Sequence, residues 1–165
     1  AREIAQHADS VTFCLSKGLS APVGAVILGP KPFIEAGRKL RQMLGGTTRQ
    51  GGVVAAAGLV GVRTMVSRLA EDHACARLLA ARLREIPGLA VPSPQTNIVQ
   101  TYTAGLGAPA ARIASLLAEQ KVMVLPQRPD MLRWLTHRHV GREDVEEAAA
   151  VMRKVAEVLR ATPPH

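Results

Sequence analysis

The chain has 165 residues, room for one good core or for one core with a small satellite. Apolar residues make up 47% but aromatics only 2%, so the interior must be filled by Ala, Val, Leu and Ile on closely packed helices, and no apolar run reaches the ~20 residues that cross a bilayer. The charge of +8 comes from 21 basic and 13 acidic residues. The bases are mostly Arg spread along helical stretches (Arg63, Arg68, Arg77, Arg82, Arg84), without a Lys/Arg block or interleaved aromatics. That pattern argues against nucleic acid or a membrane surface as partner, and for solvated helix faces with some Arg spent on small anions.

In chain order, Ala1–Ser10 is polar, resembles neither a signal nor a transit peptide, and reads as the middle of a domain. Val11–Leu15 and Val23–Leu28 are short, partly β-branched runs bounded by turn residues, and predict buried strands. Between them Lys17 stands alone in Ser16-Lys17-Gly18-Leu19-Ser20-Ala21-Pro22. The lysine and glycines alone favour a solvated hairpin tip. The sharper alternative is a lysine deprived of water at the floor of a pocket, where its amine becomes a nucleophile. Phe33–Leu44 has helical spacing and follows Pro30 and Pro32, which suit a helix start.

Gly45–Gly52 holds four glycines, Thr47, Thr48, Arg49 and Gln50. It is either a plain connector or an anion-binding turn ahead of a helix. Val53–Val66 is apolar on nearly every face and predicts a helix buried all round or covered by a partner subunit. An amphipathic helix follows over about 67–84 and stops at Pro87-Gly88.

Leu89–Pro94 reads as a hinge, which sets two domains at 1–88 and 89–165. Beyond it come a strand over 97–102, a helix over 108–120, strands at Val122–Leu125 and Met131–Thr136 joined by a turn over 126–130, and a closing amphipathic helix over 142–159. This order describes a compact α/β lobe. Arg133 is a charge within an apolar strand, so it either faces solvent on an edge or meets an anion. His137 and His139 stand two apart without a third ligand, which leaves a polar strand end and no metal site. Cys14, in a predicted core strand, and Cys75, in a helix, have no metal spacing and read as reduced thiols of a cytoplasmic compartment.

Three strings then speak together. Ser16-Lys17-Gly18-Leu19-Ser20-Ala21-Pro22-Val23-Gly24-Ala25-Val26-Ile27-Leu28-Gly29 resembles the segment around the cofactor-binding lysine of the low-specificity L-threonine aldolases. Arg41-Gln42-Met43-Leu44-Gly45-Gly46-Thr47-Thr48-Arg49-Gln50 and Leu132-Arg133-Trp134-Leu135-Thr136-His137 are similar to later segments of that family, in order and at its spacing.

The resemblance implies the C-terminal part of a fold-type I pyridoxal-phosphate (PLP) enzyme: the end of a large domain followed by a small α/β lobe. It implies PLP as cofactor, Lys17 as the lysine that holds it, Arg49 near its pocket at a subunit interface, and Arg133 as clamp for the substrate carboxylate. It further implies cleavage of L-threonine or L-allo-threonine to glycine and an aldehyde, and assembly of identical subunits. Gln42, Thr47, Thr48 and His139 depart from the family pattern; the first removes a common basic residue near the cofactor phosphate. Family members are considerably longer, and the aspartate that pairs with the pyridine nitrogen has no match here, Asp9 included. The expectation is therefore a chain that is inactive alone. The competing expectations are a non-catalytic interaction module and, less favoured by the sequence, a basic nucleic-acid binder.

Overall fold

A computed structural model describes residues 2–161. The chain forms two compact units, one running to Ser67 and the other beginning at Arg68.

The first unit holds α1 (Arg2–Ala5), β1 (Val11–Cys14), β2 (Ala25–Leu28), α2 (Lys31–Met43) and α3 (Gly51–Thr64). β1 and β2 pair antiparallel, with Val11 opposite Leu28 and Cys14 opposite Ala25. The period-2 alternation puts Val11, Phe13 and Val26 on a half-buried face, while Thr12, Cys14, Ala25 and Ile27 are exposed. The expected buried strands are therefore covered on one face at most, and Cys14 is an exposed thiol rather than a core residue.

Pro30 precedes α2 and Pro32 lies in its first turn, where a missing N–H costs nothing. α3 forms over the expected stretch, yet its only buried residues are Gly58 and Gly61, and Val53 is 76% exposed. Full burial of this helix is not supplied within the unit. Among the described residues, only Leu15 and Ala21 form its buried apolar interior.

The second unit holds α4 (Leu69–Arg84), β3 (Ile98–Tyr102), a 3-10 turn at Ala104–Leu106, α5 (Ala110–Glu119), β4 (Leu125–Arg128), β5 (Met131–Leu135) and α6 (Arg142–Ala161). The sheet runs β3-β5-β4, antiparallel throughout, with β5 central. Val99, Leu132 and Trp134 point to a core that Leu83, Ile113 and Met152 complete from the three helices. Each helix reaches it with an i, i+3/i+4, i+7 stripe: Ala76, Leu79, Ala80, Leu83 on α4; Ala110, Ile113, Ala114, Leu117 on α5; Val145, Ala149, Met152, Ala156 on α6. Because α4 shares this core, the boundary between units falls at Ser67/Arg68, ahead of the hinge expected at 89–94.

Helix ends follow from local chemistry. The Asp144 carboxylate accepts the Gly141 N–H at 2.7 Å, half of a capping box at the start of α6. α5 ends in a Schellman turn: Lys121 has φ +63°, the Val122 N–H donates to the Leu117 carbonyl, and the Lys121 N–H to that of Ala118. The chain leaves α4 through Gly88, at φ +90°, packed so closely on Gly105 that a Cβ would lie 2.8 Å from the Gly105 carbonyl oxygen.

β4 lies later than the expected Val122–Leu125, and takes in Pro126 and Gln127, which the sequence assigns to a turn. An edge strand tolerates this proline, and a register shift between Pro126 and Arg128 absorbs the irregularity. Arg82 and Arg68, read from the sequence as solvated, are engaged, and so is Arg153. Arg82 donates to both oxygens of Glu146 at 2.7 and 2.9 Å, tying α4 to α6, and Arg153 bonds Glu85 at 3.1 Å. The Arg68 guanidinium bonds the Asp72 carboxylate at 2.9 Å, and Asp72 is only 2% exposed.

Candidate functional site

Lys17 sits on the turn between β1 and β2. The Leu15 N–H donates to the Gly24 carbonyl at 2.9 Å, the Ala21 N–H to that of Leu15 at 3.0 Å, and the Ser20 N–H to that of Lys17 at 2.8 Å. Ser20 takes φ +57° and Gly24 φ +117° to allow this path. α3 braces the turn from below. Gly58 faces the Leu15 side chain and Gly61 faces the Leu19 carbonyl, so closely that a Cβ on either would stand 2.8 or 2.7 Å from its neighbour. The two glycines of an apparently featureless helix thus fix the backbone that carries Lys17.

The Lys17 side chain is exposed. The expected floor of a pocket is not built by the residues of this unit, and desolvation of the amine is not supplied by them. The ammonium nevertheless has no carboxylate partner among the described residues.

Arg49, in the same unit, is also exposed and without an ion partner among the described residues. It stands beside Gln50, which enters α3 at φ +53°. No side chain caps α3, so its first N–H groups remain available to an anion next to the guanidinium.

Arg133 belongs to the second unit, on central strand β5, and is half-buried. Alternation puts it on the sheet face opposite Leu132 and Trp134. Gln100 of β3 and Leu125 of β4 are its cross-strand neighbours. No carboxylate lies within ion-pair distance among the described residues. A half-buried guanidinium on a central strand without a counter-charge favours the anion reading over the edge-strand one.

His137 and His139 follow the strand end, ring centroids 6.0 Å apart, and the His139 N–H donates to His137 Nδ1 at 3.3 Å. Among the described residues no group of three metal-ligating side chains exists. Arg133, Leu135 and His137 line a shallow groove with Met123, Val124 and Leu125. Sequence reasoning singled out Arg133 and passed over this groove, although the 133, 135, 137 alternation was its signal.

The donor set fits an aldehyde-bearing phosphate cofactor: a primary amine with no carboxylate partner on a braced turn, and a guanidinium beside an uncapped helix start. The sites divide between the two units, Lys17 and Arg49 in the first and Arg133 in the second.

Comparison with known proteins bears on the same residues. The sequence profile of the family described as beta-eliminating lyase matches residues 1–105. The chain is 40% identical over 159 residues to the probable low-specificity L-threonine aldolase 2 of Arabidopsis thaliana, covering 93% of this chain and 44% of that protein. It is 37% identical over 149 residues to the low specificity L-threonine aldolase of Escherichia coli K12, covering 90% and 43%. Among solved structures, the serine palmitoyltransferase of Sphingomonas wittichii superimposes with a TM-score of 0.77 at 20% identity, over 98% of this chain and 43% of that one. The fold is thus the mixed α/β arrangement of fold-type I enzymes in part, and the chain spans less than half the length of the curated relatives it matches.

Proposed function

Because the chain belongs to the beta-eliminating lyase family, we propose that it is the C-terminal part of a lyase of the threonine aldolase type, which takes L-threonine or L-allo-threonine to glycine and an aldehyde. The cofactor is pyridoxal 5'-phosphate, which when bound supplies the electron sink that lets a Cα–Cβ bond break. Lys17 Nζ is the amine that would hold the cofactor, through its aldehyde carbon. Arg133 receives the substrate carboxylate in its planar fork, two N–H donors on two oxygens. Arg49 and the first N–H groups of α3 neutralise anionic charge near the cofactor.

One observation carries the reading. Lys17 has no ion partner among the described residues, and its backbone is tied by three hydrogen bonds and braced by two glycine contacts. A solvated hairpin tip needs no such bracing. The walls that would keep water from Lys17 are not supplied by its own unit, and no residue here matches the carboxylate expected at the pyridine nitrogen. The 165-residue chain by itself therefore binds the cofactor without turning substrate over.

The test is titration of the chain with PLP, followed in the near-ultraviolet and visible. A saturable band present in the wild type and absent in Lys17→Ala supports the assignment. A spectrum identical in the two proteins overturns it.

A second reading, a non-catalytic interaction module, draws on the apolar surface of α2 and α3, where Met43, Leu44 and Val53 are each more than three-quarters exposed. Self-association with that surface at the contact is its expected outcome, by light scattering at micromolar concentration. Such association is equally part of the aldolase reading, so only the Lys17 titration separates the two.

A further inference from the structure

A cavity of the second unit takes no part in the reaction proposed above. It holds about 340 Å³ where the turn after α5 passes the start of α6, and Leu79, Trp134 and Val145, all buried, form its floor. Alternation along β5 puts Trp134 on the sheet face opposite Arg133. Trp134 is only 4% exposed, and its Nε1–H has no acceptor among the described residues. An unpaired N–H in the wall favours an occupant that brings an acceptor.

The mouth carries both signs of charge. Lys121, Asp144 and Glu147 line it, are exposed, and form no ion pair among the described residues. Lys121 is fixed at φ +63° as the residue that closes the α5 turn. Asp144 uses Oδ2 on the Gly141 N–H, and Glu147 stands one helical turn further along α6. The sheet edge adds a backbone donor and acceptor. β4 pairs with β5 only as far as Leu125 opposite Arg133, so Leu135 lies beyond the last pair. Thr136 turns its N–H to the Asn97 carbonyl at 3.0 Å and its carbonyl to Asn97 Nδ2 at 2.8 Å. The alternation of a strand then turns the Leu135 N–H and C=O the other way, to the side without a strand partner, and Leu135 lines the cavity.

We propose that this cavity binds a free apolar α-amino acid as a ligand that is not the substrate. The ligand's ammonium faces Asp144 and Glu147, its carboxylate faces Lys121 and the Leu135 N–H, and its side chain covers Leu79, Trp134 and Val145. Charge selects the class. A carboxylate without an amine meets two carboxylates at the mouth, and an amine without a carboxylate leaves the Lys121 ammonium beside it. The apolar floor selects the side chain: leucine buries aliphatic surface there, whereas threonine brings a hydroxyl to a floor without a polar side-chain match beyond the indole N–H. The volume lies at the small end of ligand cavities and suits a molecule of amino-acid size. The proposal goes beyond the lyase reading and uses neither Lys17 nor Arg133.

Trp134 is the sole tryptophan of the chain, so its emission reports this cavity directly. The experiment titrates the 165-residue chain, without PLP, with leucine, threonine, isoamylamine and 4-methylpentanoate, and follows tryptophan fluorescence. Leucine is expected to shift the emission saturably. Threonine, the amine and the carboxylate are each expected to bind at least about fivefold more weakly. Lys121→Gln and Glu147→Gln, both at exposed positions, are each expected to weaken leucine at least about fivefold. A leucine response that grows linearly with concentration overturns the proposal. So does leucine binding at wild-type strength in either variant, or isoamylamine or 4-methylpentanoate binding as tightly as leucine. Loss of the leucine response in Arg133→Gln puts the amino acid on the other sheet face and likewise overturns it. The PLP titration depends on Lys17 in the first unit, so the lyase reading and this one fail separately.

Discussion

Gly61→Ala tests whether α3 positions the Lys17 turn. The new Cβ would lie 2.7 Å from the Leu19 carbonyl oxygen and 3.5 Å from the Leu19 Cβ. An unstrained C···O contact begins near ~3.3 Å, so about 0.6 Å must be found. Leu19 cannot yield by rotating a side chain, because the obstacle is backbone. Its neighbours are held by the Ser20-to-Lys17 and Ala21-to-Leu15 hydrogen bonds. Overpacking of this kind costs about 1–3 kcal/mol, and the better helix propensity of alanine returns about 1 kcal/mol.

The net change in stability is therefore small, about 0–2 kcal/mol, and the informative readout is Lys17, two residues from the obstacle. We expect the PLP affinity of Gly61→Ala, read from the Lys17-dependent band, to fall by about tenfold, the equivalent of ~1.4 kcal/mol. Gly58→Ala is the control. Its Cβ meets the Leu15 Cδ1 at 2.8 Å, and a side chain can turn away. It should melt no lower than wild type and keep its PLP affinity within about threefold, since propensity gain and rotamer cost nearly cancel. Equal PLP affinity in the two variants would refute the bracing argument.

Two further outcomes concern the second unit. Arg68→Met leaves the Asp72 carboxylate buried without its partner, and a stranded charge of this kind costs about 3–5 kcal/mol; a denaturant midpoint close to wild type would show that the pair is dispensable. Glu146 is held below the usual carboxylate range, chiefly by its hydrogen bonds from Arg82, and Arg82 is raised in turn. A depressed carboxylate stabilises the fold above its unfolded value, about 4.3, and loses that contribution as pH falls through the folded value. The difference in Tm between wild type and Glu146→Gln is expected to be full at neutral pH and to shrink below about pH 4.

The second unit was legible because each helix carries its own apolar stripe and each strand its alternation, so pattern and packing agree. β4 was misplaced because Pro126 and Gln127 look like a turn; only the pairing with β5 and the bulge make them strand. The boundary between compact units at Ser67/Arg68 carries no turn signal in the sequence, whereas Pro87–Pro94 does. Lys17, Arg49 and Arg133 stood out as lone charges among apolar or glycine-rich neighbours. The bracing role of Gly58 and Gly61 was not readable, since a glycine in a helix shows what it omits and not what approaches it. The burial expected of β1, β2 and α3 follows from composition, but composition does not say which polypeptide provides the cover.

That last point has a measurable consequence. Leu83, Ile86, Ile113, Leu117 and Met152 are fully buried in the second unit, whereas among the described residues the first buries only Leu15 and Ala21 of its apolar side chains. An isolated helix of α3's 14 residues is marginal in water, and most helix stability comes from a packed face. Local opening should therefore cost far less in the first unit than in the second. In native-state hydrogen exchange of the 165-residue chain, amides of α3 are expected to exchange at least about a hundredfold faster than those of α4 and β5, a gap of ~2.7 kcal/mol. A ligand that engages Lys17 adds protection first at 15–24 and along α3, by mass action on the bound form. Equal protection of the two units in the free chain would mean that α3 is covered in solution, which self-association through its apolar face would explain and a dilution series would expose.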